Sequence, residues 1–231
     1  MQSPQLSVVM LVIDLLRQTQ RAIESLRATT DVPYELIVVD NGSRDPAVVS
    51  LLEREATTLL RNSTNVGVPA GWNQGLAAAR APLVAIANND ITFVPGWFAH
   101  LAESLTDPTV GLVCPASDGG GDVQRPQPGA GPLRLAPFGP TPHGLLMLLR
   151  TQVLRDVGGF CELYTPASNE DKDLCFTLWD RGLAVVVDHR VVVPHEAGST
   201  WLRTLGRWRA RRLWKRNRAL FKRRWRHRLG D

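Results

Sequence analysis

Short apolar runs alternate with amphipathic stretches along most of the chain, and the runs end in polar turns. Leu6 to Ile13, Tyr34 to Val39, Thr57 to Arg61 and Leu83 to Ala87 read as strands, since runs of this length rich in Val, Ile and Leu suit a buried sheet. Between them, Leu16 to Arg27 places Leu16, Ala22, Ile23 and Leu26 at helical spacing. A second helix is predicted over Pro46 to Glu55 and a third from near Pro69 to about Arg80, each with a proline at its first turn. Pro95 stands where a fourth would begin. Strands and helices alternating at this spacing predict a parallel, three-layer α/β sheet. Further along, Leu145 to Leu149 reads as a strand and Arg150 to Val157 as a short helix. Leu174 to Arg181 reads as a helix capped by Ser168 or Asn169 and ended by Gly182, and Ala184 to Val187 and Arg190 to Val193 as two more strands.

Two stretches break the pattern. Pro115 to Pro142 holds 13 Gly or Pro among 28 residues with no apolar period, which predicts a flexible loop beside the site or a tolerated insertion. Trp201 to Gly230 is basic and aromatic. Read as a helix, it puts Leu213, Leu220, Trp214, Phe221 and Trp225 within an arc of about 140°, interrupted by Asn217 and Arg224.

Charge sharpens that division. Residues 201–231 carry 13 Lys or Arg against one acid, an excess of +12, while the rest of the chain is at −7, giving the net +5. An acidic body with a basic tail is expected, divided at about residue 200. Trp amid Arg is the composition of a helix lying in an anionic membrane interface. Nucleic-acid binding, a protein partner and simple packing on the body compete with that reading. Three cysteines without metal-type spacing fit a reducing cytosol. No signal peptide and no apolar stretch near the roughly 20 residues of a membrane span are evident. The expected location is cytoplasmic, with peripheral contact at the membrane's cytoplasmic face.

The candidate chemistry sits at strand ends, where open α/β sheets bind ligands. Asn88-Asn89-Asp90 ends the fourth strand, either as an ordinary turn or as a place for a hard metal ion against a diphosphate. Asp40 ends the second strand, where a carboxylate can accept from a ribose hydroxyl or a base N–H. Neither GxGxxG after the first strand nor GxxxxGK[ST] is present, which removes support from dehydrogenase and P-loop readings. No Gly-rich basic loop at the first strand supports a nucleotidyltransferase. Cys161 reads as a buried small thiol, and His143 as structural or acceptor-contacting.

In order, VVDNGSRD, NVGVPAGWNQGL, NNDITFVPGW, VGGF and NEDKDL resemble glycosyltransferase family 2, over roughly residues 6 to 200. The resemblance implies the GT-A fold, a three-layer α/β/α sandwich with a mostly parallel central sheet, here followed by the basic helical tail. Residues 1–114 would bind a nucleotide-sugar and residues 115–200 the acceptor. It implies donor-nucleotide contacts from Asp40, Asn65, Asn73, Asn88 and Asn89, and Mn²⁺ or Mg²⁺ held by Asp90 with His195. In the family's ED motif the Asp is the general base of an inverting transfer, here Asp171, with Glu170 touching the acceptor or orienting Asp171. Asn88 departs from the Asp of many relatives, Cys161 from another Asp, and Val12-Ile13-Asp14-Leu15 from a Tyr-Asn pair.

The expected reaction moves a sugar from a UDP- or dTDP-sugar to a hydroxyl of a glycan or lipid-linked acceptor. The alternative is a non-catalytic nucleotide- or nucleic-acid-associated scaffold. A base carboxylate and a metal carboxylate in one chain favour the enzyme, and nucleic acid is not the expected partner.

Overall fold

The computed structural model describes residues 3–196 and 199–230, with side chains for all of these except 199–205 and 207. Strand β1 (Leu6–Val12) pairs in parallel with β2 (Tyr34–Asp40) on one side and β4 (Leu83–Asn88) on the other. Beyond β2 lies β3 (Thr58–Arg61). On the far side of β4, β7 (Leu146–Arg150) runs antiparallel to both β4 and β5 (Val110–Ala116). The sheet is completed by β8 (Ala184–Val192), parallel to β5, and by β6 (Pro132–Arg134), antiparallel to β8. The order is β3-β2-β1-β4-β7-β5-β8-β6, so six of eight strands share one direction. This is the GT-A architecture the motifs imply.

The two-residue repeat of a strand sends alternate side chains to opposite faces. Leu6, Val8, Met10 and Val12 of β1 join the core under α1 (Leu16–Thr29), α2 (Pro46–Glu55) and α4 (Trp97–Ser104). Val9 joins the opposite core, under α3 (Val68–Ala78), α5 (Thr151–Asp156) and α6 (Glu170–Asp180). Two glycines let α3 lie directly on β1: a Cβ at Gly71 would come within 2.4 Å of Leu11, and one at Gly75 within 2.2 Å of Val9.

Four readings of the chain change. Within 115–142, β6 extends the sheet and a turn of 3₁₀ helix spans Asp122–Gln124, so the stretch is ordered. The two expected strands after Leu183 are the single strand β8, because the polar pair Asp188-His189 between them is buried. The fourth helix starts at Trp97, after a left-handed Gly96. Helix α6 starts earlier, at Glu170, which puts the acids in its first turn. Neither Ser168 nor Asn169 caps it with a side chain. Their φ angles of 83° and 75° are left-handed, whereas a capping side chain needs extended backbone.

The tail forms α7 (Ser199–Arg224), broken by the non-helical Gly206, and α8 (Arg226–Leu229). Its apolar arc is divided. Phe221 and Trp225 are buried against Phe176 of α6, whereas Trp214 is 46% exposed, and Trp208, outside the arc, is 85% exposed. Of the four tail tryptophans, the side chain of Trp201 lies outside the described set. Of the two residues that interrupt the arc, Asn217 is fully buried, and Arg224, itself exposed, pairs with the buried Asp173 at 3.0 Å. Phe221 and Trp225, with Leu220 and Leu229 packed beside them, thus join the tail to the second core.

Candidate active site

Where β4 and β8 end and β7 begins, their following turns converge on a cavity of about 650 Å³. Asn65, Asn88, Asn89, Asp90, His143, Glu170, Asp171 and His195 all line it. One side of the cavity is closed by a network of amides. Asn65 Oδ1 accepts from Asn41 Nδ2 (3.0 Å) and from the Gly67 N–H (2.8 Å), while Asn41 Oδ1 accepts from the Val66 N–H (3.0 Å). Asn89 Nδ2 donates to Thr19 Oγ1 at 2.9 Å, tying the turn after β4 to α1.

Asp90 and His195 are brought together by main chain. The Thr92 N–H donates to the Pro194 carbonyl and the Glu196 N–H to the Asp90 carbonyl, both at 3.0 Å, and Ile91 bridges His195. This stitching leaves His195 Nε2 3.2 Å from Asp90 Oδ1. Burial disfavours charge on the imidazole, but the hydrogen bond and negative charge of Asp90 outweigh it, and the His195 pKa is raised. Among the described residues no group of three or more His, Cys, Asp or Glu could enclose a metal. One carboxylate beside one imidazole nonetheless fits a borderline divalent ion that takes its remaining ligands from phosphate oxygens and water.

Asp171 lies across the cavity, in the first turn of α6. Its Oδ2 accepts from the Gly144 N–H at 3.0 Å and its Oδ1 from the Lys172 N–H at 2.7 Å. Residue 144 must be small, since a Cβ there would sit 3.0 Å from the Asp171 Cβ and 3.1 Å from Met147. Next to it, Glu170 is buried, and among the described residues Oε2 has no hydrogen-bond partner. Burial and the charge of Asp171 push the Glu170 carboxyl well above the usual range. Glu170 is thereby biased towards its neutral form, which can donate a hydrogen bond.

Asp40 and Asn73 are not in the cavity wall. Asp40 is fully buried beneath it, with Oδ1 accepting from the Ser43 N–H (2.8 Å) and Oδ2 from Arg61 Nε (2.9 Å). Each oxygen thus has a partner inside the protein, and the carboxylate is not exposed to the cavity. Asn73 faces the other way from α3 and clasps Phe160, accepting from its N–H at 2.8 Å and donating to its carbonyl at 2.9 Å. Gly159 enables the clasp, since a Cβ there would meet Asn73 Oδ1 at 2.5 Å. Replacing Asn73 with Ala should cost about 1–3 kcal/mol of stability in urea unfolding, because buried main chain loses its partners, with nucleotide affinity unchanged.

The motifs did not single out Asn41, Trp72, Lys172 or Trp214 as wall residues. Asn41 was within reach, since it follows Asp40 in the same polar turn. Trp214 arrives from the tail and had no local signal. The unusual Asp14 turns out to be a latch: its carboxylate accepts from the N–H groups of Arg44 and Asp45, while neighbouring Ile13 lines the cavity. Cys161 is half-buried, and Cys114 and Cys175 are buried thiols.

The family model for glycosyl transferase family 2 matches residues 7–171, most of the chain and nearly all of the cavity-forming elements. The chain belongs to glycosyl transferase family 2. Its family 2 region is 30% identical over 95 residues to an uncharacterized protein of Mycobacterium tuberculosis, covering 40% of this chain and 30% of that one. It is 34% identical over 85 residues to the succinoglycan biosynthesis protein ExoO of Rhizobium meliloti, covering 36% of this chain and 24% of ExoO. These matches thus span about a quarter to a third of the relatives' lengths. Among solved structures, GalNAc-T7 with UDP, GalNAc and Mn²⁺ superposes with a TM-score of 0.72 at 15% identity, over 83% of this chain and 44% of that one. The mannosyltransferase PcManGT of Pyrobaculum calidifontis with GDP-Man and Mn²⁺ gives 0.66 at 18% identity, over 85% and 58%. At these identities the likeness shows a shared fold.

Proposed function

We propose that this protein is an inverting glycosyltransferase that moves a sugar from a nucleoside diphosphate sugar, UDP- or dTDP-linked, to a hydroxyl of a glycan or lipid-linked acceptor. The observation that carries the reading is one cavity lined by Asp90 and His195 on the donor side and by Asp171 on the other. Asn65, Asn88 and Asn89 contact the donor nucleotide, and Asp40 acts at one remove by holding Arg61 and the Ser43 turn. Asp90 and His195 would hold Mn²⁺ or Mg²⁺, which when bound neutralises the departing diphosphate. Asp171 takes the proton from the acceptor hydroxyl as that oxygen attacks the anomeric carbon. The Gly144 and Lys172 N–H groups orient its two oxygens, and neutral Glu170 is placed to donate to the acceptor.

The acceptor is proposed to be reached at a membrane. Trp208 and the Arg209, Arg211 and Arg212 side chains of α7 are exposed and form a cationic, aromatic surface suited to anionic lipid. No described helix is long and apolar enough to cross a membrane. Trp208→Ala combined with Arg211→Ser and Arg212→Ser should lower sedimentation with phosphatidylglycerol vesicles at least tenfold at low salt. Unchanged sedimentation would move the contact elsewhere.

The reaction is tested by nucleoside diphosphate release with Mn²⁺ across a panel of sugar nucleotides and polyprenyl-linked or oligosaccharide acceptors. Absence of release from every pairing would favour a non-catalytic nucleotide-binding role.

A further inference from the structure

Two successive non-glycine residues with left-handed backbone immediately precede the helix that carries Asp171. Ser168 has φ 83° and Asn169 φ 75°, a conformation that L-residues adopt uncommonly and that their surroundings must hold. No side chain within the turn caps the helix, and the only side-chain bond between the two residues runs from Asn169 Nδ2 to Ser168 Oγ at 3.1 Å. The restraint comes from about fifty residues further along. Asn217, fully buried in α7, aims one amide nitrogen at three carbonyls of this segment: Tyr164 at 2.7 Å, Ala167 at 2.8 Å and Ser168 at 3.2 Å. Arg216 adds the carbonyls of Leu163 (3.1 Å) and Thr165 (3.3 Å).

The end of α7 and the residue after it, together with Tyr164, hold the far side of the first turn of α6. Trp225 Nε1 donates to Asp173 Oδ1 at 2.7 Å, Tyr164 Oη donates to it at 2.9 Å and Arg224 pairs with it at 3.0 Å. Asp171 lies between the two anchor points, four residues after Ala167 and two before Asp173. The first turn of α6 that carries it is thus held on both sides by residues of the tail, with Tyr164 adding to the second anchor.

We infer that Asn217 is a positioning residue for the catalytic base, acting on Asp171 through the Ser168–Asn169 turn, so that α7 belongs to the working site as well as to its periphery. This rests on the assignment of Asp171 above. It gives the tail a role that its charge does not suggest. In sequence, Asn217 merely interrupts an apolar arc. In the fold it holds three carbonyls of the segment that leads into α6.

Asn217→Ala is the direct test, read in two ways. The first is amide hydrogen exchange of the whole protein. Protection of the Gly144 N–H, which Asp171 Oδ2 holds, and of residues 170–173 should fall at least tenfold, while β1, β2 and β4 stay as protected as in the wild type. The second is kinetic. Nucleoside diphosphate release should drop at least tenfold in kcat, with UDP or dTDP affinity in Mn²⁺ within twofold of wild type. Should Asn217→Ala fail to fold, Asn217→Ser, which can reach one carbonyl at most, takes its place with the same expectations. Unchanged protection around Asp171, a loss spread evenly over all strands, or failure of both variants to fold would overturn the inference. A wild-type chain that releases no nucleoside diphosphate would sink the proposed reaction alone, since the exchange pattern decides the role of Asn217 independently.

Discussion

Asp171→Asn should lower kcat by at least about 100-fold while donor affinity stays within about twofold, since general-base assistance is typically worth roughly 10²–10⁴-fold. A sugar hydroxyl is a poor nucleophile at neutral pH, and Asp171 is the oriented carboxylate proposed to face the acceptor. The amide of Asn keeps one oxygen for the Gly144 N–H but cannot take up the proton. The product of the wild-type enzyme should show inverted anomeric configuration, as a single displacement requires. Asp173→Asn is expected to behave differently: its carboxylate holds Trp225, Tyr164 and Arg224 and is buried, so the loss should fall on stability first. Kinetics and calorimetric donor binding on the same variants separate the two. Full turnover by Asp171→Asn, or a retained configuration, would refute the mechanism.

Asp90→Ala should abolish turnover and the Mn²⁺ dependence of nucleotide binding together. Asp90 contributes the carboxylate of the proposed ion pair of ligands, and His195 alone offers no negative charge to offset a divalent ion. With His195→Ala the carboxylate remains, so a weaker metal requirement, shifted to higher Mn²⁺ concentration, is expected instead of complete loss. Titrating Mn²⁺ into each variant in the presence of UDP or dTDP reads both effects. Near wild-type transfer by Asp90→Ala would remove the donor-side assignment.

Much of this fold was legible because buried parallel strands write themselves as apolar runs closed by polar turns. Leu6 to Val12, Tyr34 to Asp40 and Leu83 to Asn88 were found almost to the residue. Strand β6 was not, because Pro132, Leu133 and Arg134 are all exposed and leave no alternation to detect. Strand β8 was split at the polar pair Asp188-His189, although both are buried and Arg190 pairs with the Asp188 carboxylate at 2.7 Å. Asp90, Asp171 and His195 were proposed from the family motifs, and the fold brings all three to the wall of one cavity. Local pattern could not tell that Asn73 faces Phe160, nor that each Asp40 oxygen has a partner inside the protein, because those depend on partners distant along the chain. The tail shows the same limit: composition marked its charge, while the inward duties of Asn217 and Trp225 follow from packing alone.

The two outermost strands bear on how the molecule behaves in a crowd. An open sheet offers a row of unsatisfied peptide groups at each margin, a template on which another chain can zip. Here one margin is β3, four residues long and finished by Arg61, and the other is β6, three residues long, begun by a proline without an N–H and finished by Arg134. Each is too short and too charged to seed a cross-β stack. A predominantly parallel sheet, slow to form and exposed while forming, thus resists polymerising along its rims even at high local concentration.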